Sequence, residues 1–372
     1  MLKRALPMIV VCGCATVRGV PPAAPTLEAV EQAIDENAQA TFQRSHWSNL
    51  ALGIVSQGRL IWAKGYGSRT EGAADPVTAA TVFRFGSITK TFTSLALLQL
   101  RDEGKVALDD PAERYLPELR GVVYPTAEHP PITLRELLTH TSGLPAVGSI
   151  DYTQGSPLTE AQLLGSLQGL KLEATPGTHY QYSNLAMCLV GLAVSRIAHL
   201  PYREVIEARI AQPLGLHLAW TPEAVGSERL ASGHTPGHLP VSDWTLGACE
   251  PCGGIYGSLD DLARYAAFEL SAWPPRDAPE SPLATRSTLR EAQSVLGPLL
   301  KPFAFGANWV VQEDPALGHV VWHNGETLAY AAELWMLPAR GLAVVALLGE
   351  GSESGLADLV RATLKALLPV SV

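Results

Sequence analysis

Beyond its first few residues this sequence of 372 residues has no stretch that reaches the roughly 18 consecutive apolar residues a membrane-spanning helix needs. It has no basic run either. Lys and Arg number 27 against 36 Asp and Glu, a formal net charge of −9, so nucleic acid is not an expected partner. Cysteine is scarce: the five are Cys12, Cys14, Cys188, Cys249 and Cys252. No second pair accompanies Cys249-Glu-Pro-Cys252, so the spacing does not read as a zinc site, and the pair lacks the strand-to-helix setting of a redox motif. In an oxidising compartment it can close a small disulfide; otherwise it reads as structural or idle. Internal repeats and low-complexity tracts are missing, which excludes a solenoid. What remains is an ordinary globular composition, 47% hydrophobic and 17% charged, with chain enough for about two domains.

The N-terminus reads as an export segment. Lys3 and Arg4 precede an apolar stretch from Ala5 to Val11, and a Pro-rich tract from Val20 to Pro25 follows. Val11-Cys12-Gly13-Cys14 resembles a bacterial lipoprotein cleavage box with Cys14 as the lipidated residue. The expectation is a signal and linker over 1–25, a periplasmic or cell-envelope location, and membrane contact only through an N-terminal lipid anchor. Removal of residues 1–13 would take two positive charges, giving −9 − 2 = −11.

Thr26 can cap a helix over 26–45. Asn49 to Ser56 and Arg59 to Tyr66 read as strands around a Gln57-Gly58 turn. The residues after Lys90 are apolar almost all round, which marks a buried helix ending near Gly104. Thr133 and Glu136 form a capping box. Ser183 or Asn184 caps an apolar helix from Leu185 to His199, in which Cys188 is a core residue, and Ser258 caps another to about Leu270. Strands are expected over Gly306–Gln312, Gly318–His323, Leu328–Leu337 and Leu342–Leu348, then a helix from Glu353 to Leu367. Strands at both ends with helices between predict one antiparallel sheet built from both termini. This is an α/β fold of the α+β type, with a sheet part over 26–105 and 302–372 and a helical insertion over 106–301.

Ser87-Ile-Thr-Lys90 places a hydroxyl and an amine one helical turn apart on one face. A serine hydroxyl needs a base within hydrogen-bond reach to become a nucleophile, and a buried amine can be that base. Tyr182-Ser183-Asn184 brings a phenol that can shuttle a proton and an amide that can orient a substrate. His323-Asn324-Gly325 ends a late strand, where Gly lets a substrate backbone approach. His323 there can donate to the substrate or to the surroundings of Ser87. His234 and His238 lie four apart, but Pro236 and Gly237 break any helix face between them, so a metal hydrolase is a weak reading and no cofactor or metal is expected.

Taken in order, Phe85-Gly-Ser87-Ile-Thr-Lys90, Ile132-Thr-Leu-Arg-Glu-Leu-Leu-Thr-His140-Thr-Ser-Gly143-Leu144, Tyr180-Gln-Tyr182-Ser-Asn184, Pro213-Leu-Gly-Leu216, Gly253-Gly-Ile-Tyr-Gly-Ser258-Leu-Asp-Asp-Leu262 and His323-Asn-Gly325 resemble the serine β-lactamase and penicillin-binding family. The likeness is to its class C-like branch, with D-aminopeptidases, DD-carboxypeptidases and esterases, and covers about residues 30–365. It implies a β-lactamase/transpeptidase-like fold with the site between sheet and helical parts. It implies Ser87 as nucleophile, Lys90 and Tyr182 sharing base and acid roles, and Asn184, His323, Asn324, Gly325 and Glu326 at the substrate, with the backbone N–H groups of Ser87 and Glu326 as oxyanion hole.

Four departures stand out: Cys252 takes a place where small residues are usual, and the other three lie at the end of the late strand. His323 replaces the usual Lys and presents no fixed charge at pH 7. Asn324 replaces a hydroxyl residue. Glu326 adds a negative charge at the rim, which disfavours anionic substrates. The expected activity is a serine hydrolase forming an acyl-enzyme on an amide, β-lactam or ester, with a small molecule or peptide as substrate and a monomer as the working unit. The alternative is a catalytically silent lipoprotein that holds peptidoglycan peptides in the same pocket.

Overall fold

The structure is a computed structural model and describes residues 25–147, 156–241, 244–273, 279–297, 299–300, 302–351 and 355–370. The export segment with Cys12 and Cys14 lies outside the described residues.

Among the described residues ten strands form two sheets. β1 (Asn49–Ser56) and β2 (Arg59–Gly67) make the expected hairpin. Its turn residues Gln57 and Gly58 both have positive φ, 50° and 77°, the twist-matched geometry of a two-residue hairpin. β3 (Val82–Arg84) pairs with β4 (Tyr256–Ser258) in a small sheet of two strands. β5 (Leu299–Leu300), β6 (Phe303–Phe305), β7 (Val310–Asp314), β8 (Gly318–Glu326), β9 (Ala331–Leu337) and β10 (Leu342–Leu348) complete the large sheet. Its order is β2-β1-β10-β9-β8-β7-β6-β5. β1 lies antiparallel to β10, with Gly53 opposite Val345, so strands from the two ends of the sequence pair with each other inside the sheet.

Strands β1, β9 and β10 are buried along their whole length because both faces are covered. Side chains alternate between the two cores with period two. Leu50, Leu52, Val344 and Ala346 face the helices Leu27–Arg44 and Leu356–Leu367, through Ile34, Val360 and Leu364. Ala51, Val55, Val345 and Leu347 face the other way, with Phe92, Leu259 and Leu262. The Val, Leu, Ile and Phe side chains among these each gain about 1.5–3 kcal/mol from burial. The helix Leu259–Leu270 packs on β1 and β10, and β5 pairs with β6, so these parts of the 106–301 segment lie with the sheet.

Some boundaries differ from the sequence pattern. The strand expected over Gly306–Gln312 starts at Val310, because residues 306–309 turn: Gly306 N–H donates to Trp309 O and Asn308 adopts φ 59°. The strand expected from Leu328 starts at Ala331, because Thr327 Oγ1 accepts from the N–H groups of Ala329 and Tyr330 and holds a turn. Cys249 to Cys252 is not a loop. Cys249 caps a buried helical turn, Glu250–Gly253, packed against the helices Thr89–Asp102 and Asn184–Ala198.

Candidate active site

The approach to Ser87 is fixed by backbone pairing. Phe85 N–H donates to Ile255 O at 2.8 Å, and Gly86 takes φ 53°, which starts a 3₁₀ turn over Gly86–Ile88. Ser87 thus sits just before the α-helix Thr89–Asp102 rather than inside it. Every residue from Thr89 to Leu100 is buried, so the helix carries Lys90 into the interior. The Lys90 Nζ donates to Ser87 Oγ at 2.8 Å and to the Cys252 carbonyl at 2.6 Å. It also lies 4.9 Å from the centroid of the Tyr182 ring. Alcohol, amine and phenol therefore come together, the phenol from a distant part of the chain.

Tyr182 is held from both sides. Ser183 is the N-cap of the helix Asn184–Ala198, its Oγ accepting from Ala186 N–H at 3.0 Å. Behind it stands His140, which the sequence pattern placed in a matching block without a role. Its carbonyl accepts from Gln181 N–H at 2.7 Å, and its Nδ1 accepts from Ser183 N–H at 3.1 Å. The ring packs 4.5 Å from that of Tyr182. Accepting at Nδ1 puts the His140 proton on Nε2. Burial pushes its pKa down to about 3, helped by the Lys90 charge, so the ring is neutral.

His323, on β8, is buried too, and burial with the nearby Lys90 charge takes it down to about 3. Its Nδ1 faces the Asn324 carbonyl, which can only accept, so the proton is on Nδ1 and Nε2 keeps a lone pair. The expected donation from His323 to a substrate is therefore corrected: Nδ1–H is committed to the backbone, and the other nitrogen is an acceptor. Gly325 lies against the Phe85–Ser87 turn, which sets the Glu326 and Ser87 backbone amides side by side.

A cavity of about 690 Å³ opens over this group. Ser87, Asn184, Cys252 and Glu326 border it, and Pro236, Trp244, Leu246 and Leu328 give it apolar walls. Asn324 alternates with His323 and Gly325 along β8, is half-buried, and does not border the cavity. Arg84 is in the wall, but its guanidinium donates to the carbonyls of Gly253 and Trp244, each at 2.9 Å, and stacks on Tyr256. Its charge is spent on the scaffold.

Cys188, Cys249 and Cys252 are free, buried thiols, so the disulfide reading of the C-x-x-C pair is replaced by a cluster of three. His234 Nε2 pairs with Glu71 at 3.1 Å and His238 Nδ1 with Glu350 at 3.3 Å. Among the described residues no group of three or more side chains is arranged to hold a metal ion.

The sequence profile of the Beta-lactamase family matches residues 31–366. The D-alanyl-D-alanine-carboxypeptidase/endopeptidase AmpH of Escherichia coli K12 is 32% identical over 277 residues, 73% of this chain and 70% of that protein. Beta-lactamase-like protein 2 of Dictyostelium discoideum is 30% identical over 73% of this chain, and Protein flp of Staphylococcus aureus MW2 is 26% identical over 87%. The chain spans 50% of the length of the former and 64% of the latter. A Beta-lactamase/D-alanine Carboxypeptidase from Yersinia pestis, crystallised with citrate, superposes with a TM-score of 0.76 at 26% identity, covering 91% of this chain and 98% of that one. The octameric penicillin-binding protein homologue from Pyrococcus abyssi has the same fold, with a TM-score of 0.76 at 24% identity over 91% of this chain and 77% of its own.

Proposed function

This chain belongs to the β-lactamase family, and on that premise we propose that it is a serine hydrolase that forms an ester on Ser87 and then releases it to water. The observation that carries the reading is the 2.8 Å contact between Lys90 and Ser87 at the edge of a cavity. Lys90 and Tyr182 share the base role that takes the hydroxyl proton as Ser87 Oγ attacks the acyl carbon. The negative oxygen that develops is met by the backbone N–H groups of Ser87 and Glu326. The Tyr182 phenol, beside Lys90, passes a proton to the leaving group, and the same groups reverse roles when water attacks the ester. Asn184 borders the cavity where the scissile amide or ester would lie.

The surroundings favour an uncharged or cationic substrate over an anionic one. His323 is neutral, Arg84 is engaged by backbone carbonyls, and Glu326 contributes a carboxylate at the mouth. An amide or ester of a D-amino acid fits these terms better than a carboxylate-bearing β-lactam. Kinetics of D-aminoacyl anilides and short p-nitrophenyl esters, run beside nitrocefin, test the preference; a faster turnover of nitrocefin would overturn it. A fluorophosphonate probe tests the nucleophile: wild type should gain one adduct on Ser87 and the folded Ser87→Ala chain none. No adduct on folded wild type would favour a pocket that only binds peptide.

Export and a lipid at Cys14, supported by the Lys3–Cys14 pattern, and a monomeric state complete the proposal. Metabolic labelling with a fatty-acid analogue, lost in Cys14→Ser, and the mass in solution by light scattering test them.

A further inference from the structure

The hydrolytic steps above use none of the three buried thiols, yet these sit against the proposed base. Cys188, Cys249 and Cys252 are 0%, 1% and 3% exposed, and Cys252 borders the cavity beside Ser87. Cys249 precedes Cys252 by one helical turn, and its Sγ is 2.7 Å from that of Cys188. The carbonyl of Cys252 accepts the Lys90 hydrogen bond. We propose that Cys252 is a thiol-modification site inside the acyl cavity, open to small disulfides, and that its oxidation onto Cys249 shuts down the neighbouring Lys90. The shut-down rests on the role given to Lys90 above; the thiol site does not.

The thiols are not equivalent. Hydrogen bonds from Cys188 and Cys249 hold the Cys252 thiol well below its ordinary range, and the Lys90 and Arg84 charges add to this. Burial pushes Cys188 well above it. Cys252 is thus the attacking sulfur, since the thiolate is the nucleophile in exchange. With a disulfide R–S–S–R, Cys252 Sγ attacks one sulfur, the S–S bond breaks, and RS⁻ leaves and takes a proton as RSH. Cys249 then attacks the Cys252 sulfur of the mixed disulfide, and the second RSH leaves with the Cys249 proton. Two protein thiols are oxidised to one disulfide, and R–S–S–R is reduced to two thiols.

Closing Cys249 onto Cys252 reshapes the turn whose carbonyl holds Lys90. A displacement of about 1 Å at a catalytic group can cost roughly 10²-fold in rate. The experiment treats the full chain with bis(2-hydroxyethyl) disulfide and reads intact mass, peptide maps that separate these thiols from Cys12 and Cys14, and hydrolysis of a p-nitrophenyl ester. Wild type should link Cys249 to Cys252 and lose about tenfold or more of its turnover, restored by dithiothreitol. Cys249→Ser should stop at a hydroxyethylthio adduct on Cys252. Unreacted thiols in the folded chain, or a first adduct on Cys188 or Cys249, overturn the site. A complete Cys249–Cys252 link with unchanged turnover overturns the shut-down. An untreated chain without turnover refutes the hydrolase reading and the shut-down with it, while the peptide map still decides the site.

Discussion

Gly86 and Gly325 meet back to back with no space for a side chain on either. A Cβ on Gly325 would fall 1.9 Å from the Phe85 carbonyl oxygen, and one on Gly86 would fall 2.8 Å from the Glu326 amide nitrogen. This contact is what brings the two candidate oxyanion donors together, one from the Ser87 turn and one from the end of β8.

Replacement of Gly325 by Ala must therefore push β8 away from the Ser87 turn. The clash is with backbone, so it cannot be relieved by a rotamer change. Turnover should fall about 10²–10³-fold, the cost of losing one such donor, while KM changes little. Steady-state kinetics of the variant check this; a turnover within twofold of wild type would remove the Glu326 amide from the mechanism.

His140 is predicted to position Tyr182 without titrating. His140→Ala leaves the buried Ser183 N–H without its acceptor, at about 1–3 kcal/mol, and puts Ala at a residue whose φ is 57°. Asn tolerates that backbone region and offers an oxygen to Ser183. The Ala variant should lose at least tenfold in turnover and several degrees in Tm, and the Asn variant should recover most of both. The pH–rate profile should be the same in all three proteins, since the ring is neutral. A new titration between pH 5 and 8 in either variant would contradict the positioning role.

Tyr182→Phe keeps the ring beside Lys90 and His140 and removes only the hydroxyl. Loss of a general acid–base group costs about 10²–10⁴-fold. Acylation by an ester with a poor leaving group should suffer more than acylation by a p-nitrophenyl ester, whose leaving group needs no proton. Equal losses on both would place the phenol outside proton transfer.

Glu269 gives a pH dependence of stability rather than of rate. Burial raises its pKa from 4.5 to about 7, opposed by Gln293 Nε2, which donates to it at 2.6 Å, and by Tyr265. The folded protein therefore holds this proton more tightly than the unfolded chain. The stability contributed is complete below about pH 4.5 and is lost as pH rises through 7, a difference on the order of 3 kcal/mol. Glu269→Gln should flatten that dependence and exceed wild type in denaturant midpoint at pH 8. Parallel slopes between pH 5 and 8 for both proteins would show the carboxyl to be ionised throughout.

Much of the architecture could be read directly from local pattern. The hairpin of β1 and β2, the helix Leu27–Arg44, the capping box at Thr133 and β10 fall where composition and alternation place them. The small sheet of β3 and β4 could not be anticipated, because strands of three residues are too short to show a period and their partners are far apart in the chain. The site divides the same way. The Ser87–Lys90 contact follows from three-residue spacing, whereas the buried turn at Glu250–Gly253 had the look of a loop because its Pro and Gly residues hide how thoroughly it is packed.

The sequence by itself determined most of the longer strands and helices, and it set an alcohol one turn from an amine, because backbone periodicity and i, i+3 spacing are local properties. Tertiary structure alone decided that the Cys252 carbonyl and the Tyr182 ring converge on that amine, that His140 braces the Tyr182 loop, and that both histidines of the site are neutral. Proximity between distant segments and loss of solvent around an ionisable group belong to the packed chain, and no window of residues contains them.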